Sequence, residues 1–178
     1  MNSDTLHQDK TIATLIHLSV FTKYFIPFGN FIIPMVLWLT RKEKDFVDQH
    51  GRNAINFQIS LFLYIILLVC LGIAGIIFLG AKLSLERPFI ISEEQVHLEN
   101  FSQAMPFLIL VSTFGVLILG LFILEVYAVI SASLKASEGK LYKYPLTINF
   151  ISPAATGNHQ SNHQSENEQF NNTQNQTL

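Results

Sequence analysis

Of 178 residues, 49% are hydrophobic and 13% charged, a more apolar balance than a soluble domain of this size carries, which makes the chain a membrane protein by composition. A formal net charge of −2 offers no basic field for nucleic acid, and one cysteine, Cys70, excludes a disulfide framework and a thiol-rich metal site. The expected architecture is all-α: a polytopic membrane helical bundle with a polar N-terminus at 1–10, a membrane domain at 11–151 and an Asn/Gln-rich tail at 152–178.

The opening "MNSDTLHQDK" has acids, one Lys and no small-residue cleavage site behind it, so it is expected to be retained. Residues 11–40, "TIATLIHLSVFTKYFIPFGNFIIPMVLWLT", are apolar but contain Lys23, Pro27, Gly29, Asn30 and Pro34. Proline removes a helical donor and clashes with the preceding turn, so "KYFIPFG" predicts a break between helices at 11–24 and 30–40. The pair forms either one kinked span or, as the preferred reading, a hairpin, for three to four spans in all.

Next comes "DFVDQHGRNAINFQISLFLY", in which His50, Arg52, Asn53, Asn56 and Gln58 lead into the apolar run Ala54–Gly80. Helical spacing puts Phe46, His50, Asn53 and Phe57 on one stripe, with Arg52, Asn56 and Ile59 beside it, and sets Lys44 and Asp48 as an i,i+4 pair. Two accounts fit these polar groups: a headgroup anchor for the helix, or a polar lock between helices that could also floor a cavity.

The loop after this run carries Glu86, Glu93, Glu94 and Glu99 against Lys82 and Arg87 and is expected to face outward. The second long span, Met105–Ser133, contains Glu125 near its end. A carboxylate there costs a few kcal/mol unless it is partnered, on the order of 2.5–3.5 at a helix centre. Arg52, Asn56 and His17 are the candidate partners, an amide hydrogen bond being preferred to an ion pair, so Glu125 and "GRNAINFQ" are expected to form one buried cluster. Ala128, Ala132 and Ala136 recur every four residues, and Gly72 and Gly75 thin the first span, which predicts close helix approach.

Positive charge gathers at Arg41, Lys42, Lys44 and Arg52 and again at Lys135, Lys140 and Lys143, which predicts a cytoplasmic side for both clusters and for the C-terminus. "GKLYKYPLTINFI" should fold back on the bundle. Beyond Ser152 too little apolar surface remains to offset the entropy of ordering, so a disordered tether is expected. The N-x-T and N-F-S patterns at Asn171, Asn175 and Asn100, and the His159/His163 pair, are chance spacings in that reading. There is no HExxH, no G-x-S-x-G and no phosphate-binding Gly-rich loop, so no catalytic, cofactor-binding or metal residue is assigned and no enzyme is expected.

The patterns I-x-P-x-x-x-W-L, V-D-x-H-x-x-x-A-x-N-F-Q and G-K-x-Y-x-Y-P, within a stretch from Lys10 to Ile151, carry a resemblance. They resemble a family of small bacterial membrane proteins grouped with the Tic-twenty-like proteins, relatives of a chloroplast inner-envelope import component. The resemblance implies a four-helix or three-helix-plus-hairpin bundle in the bacterial cell (cytoplasmic, or inner) membrane. It marks Pro34, Trp38, Asp48, His50, Asn53, Asn56, Gln58, Tyr144 and Pro145 as motif positions without chemical roles. The function it implies is a non-enzymatic component of a membrane assembly linked to translocation, with the lipid bilayer, other membrane subunits or further copies of the chain as partners. The alternative is a small transporter or channel with a polar path near Glu125.

Overall fold

The computed structural model describes residues 3–86 and 101–152, with side chains over 5–82 and 104–152. In chain order these form α1 (Ser3–Leu18), a 3₁₀ segment (Ser19–Tyr24), α2 (Gly29–Thr40), α3 (Asp45–Glu86) and α4 (Phe101–Ser137). A strap without regular structure, residues 138–152, follows α4. The described elements are all helical, in keeping with the expected class. Most of the acidic loop and the tail after Ser152, with Asn100, His159, His163, Asn171 and Asn175, lie outside the described residues.

The break in the N-terminal block has local causes. Ser19 donates to the Ile16 carbonyl at 2.8 Å and Thr22 to the Ser19 carbonyl at 2.6 Å, so side-chain hydroxyls compete with the helical ladder and the chain tightens to 3₁₀. Pro27 follows, and Phe28 takes a left-handed conformation at φ 60°. At Gly29 a Cβ would stand 2.6 Å from Thr22 Oγ1 and 2.9 Å from the Thr22 carbonyl carbon, so glycine lets α2 start directly against the 3₁₀ segment. The chain then doubles back. Asp9, midway along α1, pairs with Arg41 just after α2 at 3.3 Å, while Lys23, beside the break, reaches Glu125. Because α1 begins at Ser3, most of the segment expected as a separate polar N-terminus is helix.

At 1.5 Å per residue the 42 residues of α3 reach about 63 Å, roughly twice a hydrocarbon thickness of about 30 Å, and the helix accordingly divides in two. Its first part joins the end of α4, α1, the 3₁₀ segment, α2 and the strap in a packed base. Val20, Phe57, Leu61, Ala128, Val129, Ala132 and Tyr144 form one core there, and Ile16, Trp38, Val47, Ala54 and Ile55 a second. Between Phe62 and Lys82 most of the large apolar side chains of α3 are exposed, as are most of those of α4 between Ala104 and Glu125.

Asp45–Lys82 and Ala104–Ser137 are long and apolar enough to cross a membrane, and their most apolar windows are only 6% and 0% buried. The core helix of a soluble protein would be buried there; these surfaces are suited to lipid. The two outer halves meet where Gly72 faces the Phe114 ring and Gly75 faces Leu110.

Candidate functional site in the polar core of the base

Eight polar or charged side chains are buried in the base: Asp9, His17, His50, Asn56, Gln58, Ser60, Glu125 and Ser133. Burial of such groups is costly unless they are partnered: Asp9 pairs with Arg41, Ser133 donates to carbonyls of its own helix, and the other six belong to three networks.

The first lies where the base meets the exposed halves of α3 and α4. Lys23 Nζ donates to both Glu125 oxygens, at 2.6 and 2.5 Å, and Gln58 Nε2 donates to Glu125 Oε1 at 3.3 Å. Asn30 Nδ2 in turn donates to Gln58 Oε1 at 2.9 Å. The hairpin thus contributes Lys23 and Asn30 from either side of its break, α3 contributes Gln58, and α4 contributes Glu125. The Glu125 side chain is 5% exposed and that of Lys23 25%. A cavity of about 220 Å³, walled by Phe28, Phe31 and Phe62, opens beside the cluster.

The second network runs through three elements. Tyr144 Oη lies 2.8 Å from His17 Nδ1, and His17 Nε2 lies 2.8 Å from His50 Nδ1. Burial first, then Tyr142 and Glu125, holds the Tyr144 hydroxyl well above its ordinary pKa, so it is a protonated donor. Tyr144 therefore donates to His17 Nδ1, His17 Nε2–H donates to His50 Nδ1, and the His50 proton sits on Nε2, a buried atom with no partner among the described residues. The reverse direction would leave both the tyrosine proton and the His50 lone pair unmet, so the first arrangement costs less. It makes the end of the relay an N–H donor, and the Phe46 ring packs against His50 with centroids 4.5 Å apart. Among the described residues, no group of three or more His, Cys, Asp or Glu is arranged to hold a metal.

The third network fastens the strap. Asn53 Nδ2 donates to the Tyr142 carbonyl at 3.2 Å, and Asn56 makes a two-way pair with Ile151, donating to its carbonyl at 3.1 Å and accepting from its amide at 2.8 Å. Ser60 Oγ accepts from the Ile148 amide at 2.9 Å, and Tyr64 donates to the Leu146 carbonyl at 2.9 Å. These four α3 residues recur at helical spacing, so one face of the helix grips the backbone of residues 142–151. Tyr144 is then stacked on Phe57 with centroids 4.2 Å apart.

Glu125 and Gln58 of the expected cluster meet, but Asn53 and Asn56 turn to the strap instead, and His50 joins the histidine relay. Of the partners expected for Glu125, Arg52, Asn56 and His17 are all engaged elsewhere, and Lys23 takes their place in a true ion pair. Arg52 bonds Asp48 at 2.7 Å, and Trp38 Nε1 donates to the other Asp48 oxygen at 2.9 Å, so Lys44 is not the partner of Asp48. Pro34 is buried within α2, and Pro145 precedes Leu146, which has φ 53° and turns the strap toward Tyr64. Lys23, Asn30, Ser60 and Tyr64 were not expected in these networks, and His17 was expected beside Glu125, not between Tyr144 and His50. Lys23 did carry a signal: it is the one Asp, Glu, Lys or Arg in residues 11–40, as Glu125 is in residues 100–134. Two lone opposite charges in apolar stretches are each other's natural partners.

Residues 8–151 match the MamF_MmsF family, the magnetosome magnetite crystal formation protein family, and the chain belongs to it. The match covers the same body that carried the Tic-twenty-like resemblance and overturns it; the link to translocation rested on that resemblance and falls with it. No curated protein and no solved structure matches the chain.

Proposed function

We propose that the chain is a non-enzymatic component of the magnetosome membrane that supports magnetite crystal formation, held in the bilayer by α3 and α4 with its base on the cytoplasmic side. The observation that carries this reading is the combination of membership across residues 8–151 with a fold divided into a polar-cored base and two exposed apolar helices. The positive clusters at 41–52 and 135–143 belong to the base, which supports its cytoplasmic placement. On this reading residues 11–40 dip toward the bilayer and return, with the exposed Tyr24, Phe25, Ile26 and Phe28 at the tip, and both termini share one side.

The test has two arms in a magnetosome-forming bacterium. Reporter fusions at residues 5 and 160 should both report cytoplasm; opposite sides would make residues 11–40 a single crossing. Deletion of the gene should change crystal size or number in electron micrographs, with rescue by the full chain. Normal crystals after deletion would remove the functional assignment.

A second reading, a small transporter or channel, draws on the cavity beside Lys23, Asn30, Gln58 and Glu125. Flux of small ions into proteoliposomes containing only this protein separates it from the first.

A further inference from the structure

Near the start of α3, within the base, a polar cleft of about 430 Å³ opens between the helix and the end of the strap. Its lining includes Gln49, Arg52 and Asn53 from α3, and Asn149 and Ser152 from the strap, with no carboxylate among its lining residues. The guanidinium of Arg52 is anchored on one side by Asp48, bonded through Nη1 at 2.7 Å. That contact anchors the group, no other hydrogen bond to its guanidinium is made among the described residues, and the side chain, 14% exposed, lines the cleft. Among the described residues the amides of Gln49 and Asn149 and the Ser152 hydroxyl have no hydrogen-bond partner, and they add neutral donors around one fixed cation. By contrast Asn56, at the back of the cleft, is fully committed to Ile151.

We infer that this cleft binds a phosphate group. Guanidinium held by a carboxylate on one edge and free on the other suits the planar, multidentate recognition of phosphate oxygens, and surrounding amide and hydroxyl donors complete their coordination. The volume falls within the range of small-molecule sites, enough for a phosphate with part of a headgroup attached. Phe62 opens the exposed apolar run of α3, and Arg52 stands about 15 Å before it along the helix, so on the membrane reading the cleft lies on the base side of the bilayer surface, open to a headgroup or to free phosphate.

A phospholipid headgroup and free phosphate share this chemistry, and binding measurements on the purified full-length protein in a neutral detergent distinguish them. Three probes are used: a short-chain phosphatidylglycerol, inorganic phosphate, and the matching short-chain diacylglycerol, which lacks phosphate. The expected result is saturable binding of the phospholipid that exceeds the diacylglycerol by at least about tenfold. Binding of inorganic phosphate as well assigns the site to the anion itself; binding of the phospholipid alone assigns it to a headgroup.

Gln49→Glu with Asn149→Asp keeps side-chain shape and leaves every internal hydrogen bond in place, yet surrounds the guanidinium with carboxylates. It should abolish saturable binding while the thermal unfolding midpoint stays unchanged. Arg52→Lys should weaken binding and lower its selectivity for phosphate. Equal affinity for the diacylglycerol, no saturable binding of either phosphate probe, or undiminished binding by the Gln49→Glu/Asn149→Asp variant would overturn the inference. None of these outcomes depends on a role in crystal formation.

Discussion

Replacing Lys23 by Met should be among the most damaging single changes in the hairpin. It removes the ammonium that contacts both Glu125 oxygens and leaves a carboxylate whose side chain is 5% exposed, with the Gln58 amide at 3.3 Å as its remaining partner. Stripping one member from a buried pair costs about 3–5 kcal/mol, and the 25% exposure of Lys23 argues for the lower end. A loss of about 3 kcal/mol corresponds to a fall of about 6–12 °C in unfolding midpoint for a chain of this size. Glu125→Gln is the opposite case. The glutamine carbonyl still accepts from Lys23 and Gln58, and a partly exposed ammonium can turn outward, so about 1 kcal/mol is expected. Thermal unfolding of both variants in mild detergent decides between them. A Lys23→Met midpoint within about 2 °C of the parent, or a Glu125→Gln loss as large as that of Lys23→Met, would refute the assignment of Lys23 as the partner of a buried carboxylate.

Gly51→Ala should destabilise the base despite its better helix propensity of about 1 kcal/mol, because the new Cβ would lie 2.3 Å from the Trp38 ring, which Asp48 also holds; a raised unfolding midpoint would mean that the ring moves aside freely. His17→Phe breaks the relay in its middle, leaving Tyr144 and His50 unmatched, and should cost about 2–4 kcal/mol, whereas Tyr144→Phe leaves one unmet nitrogen and should cost about 1–3; chemical denaturation gives the order. Asn56→Leu removes both bonds to Ile151, so limited proteolysis at Lys140 and Lys143 should accelerate well beyond its rate in Leu63→Ala, whose altered side chain is exposed; equal cleavage rates would show that the strap is held by other means.

What could be read in the sequence follows from how locally each feature is determined. The break before Gly29 was legible because proline and glycine restrict or release the backbone at their own positions. Both long helices were legible because about 20 consecutive apolar residues have few other uses. The alanines at 128, 132 and 136 announced a close approach, and all three are fully buried.

Pairing across the chain was not legible in the same way. Lys44 and Asp48 have suitable spacing, but an exposed i,i+4 pair is worth only a few tenths of a kcal/mol, on the order of 0.2–0.5, and Trp38 with Arg52 claims the carboxylate instead. The His17–His50–Tyr144 relay joins residues separated by 33 and 127 positions, with no spacing rule to reveal it. Asn53 and Asn56 stand out in the sequence as polar groups at a helix entrance. Their partners are strap backbone groups, and backbone groups leave no signature in a sequence.

The pairing of Lys23 with Glu125 bears on how any functional defect should be interpreted. On the membrane reading proposed above, the apolar parts of the hairpin, residues 11–24 and 30–40, are each shorter than the about 20 residues a crossing needs, and its lone ammonium would be costly in lipid until Glu125 and Gln58 receive it. The hairpin therefore depends on α3 and α4 already standing together, and a single change at Lys23 or Glu125 disturbs folding whatever the protein does. Loss of activity in such a variant cannot separate an anchoring role from a conducting one. Removing both charges can. Lys23→Met with Glu125→Leu exchanges the pair for apolar groups of similar bulk, a change that often leaves stability near its starting value. If the base acts as a scaffold, this double variant should restore normal crystals in a deletion strain more fully than Lys23→Met alone. If the cavity beside the pair conducts, the double variant should fold, reach the membrane and still fail.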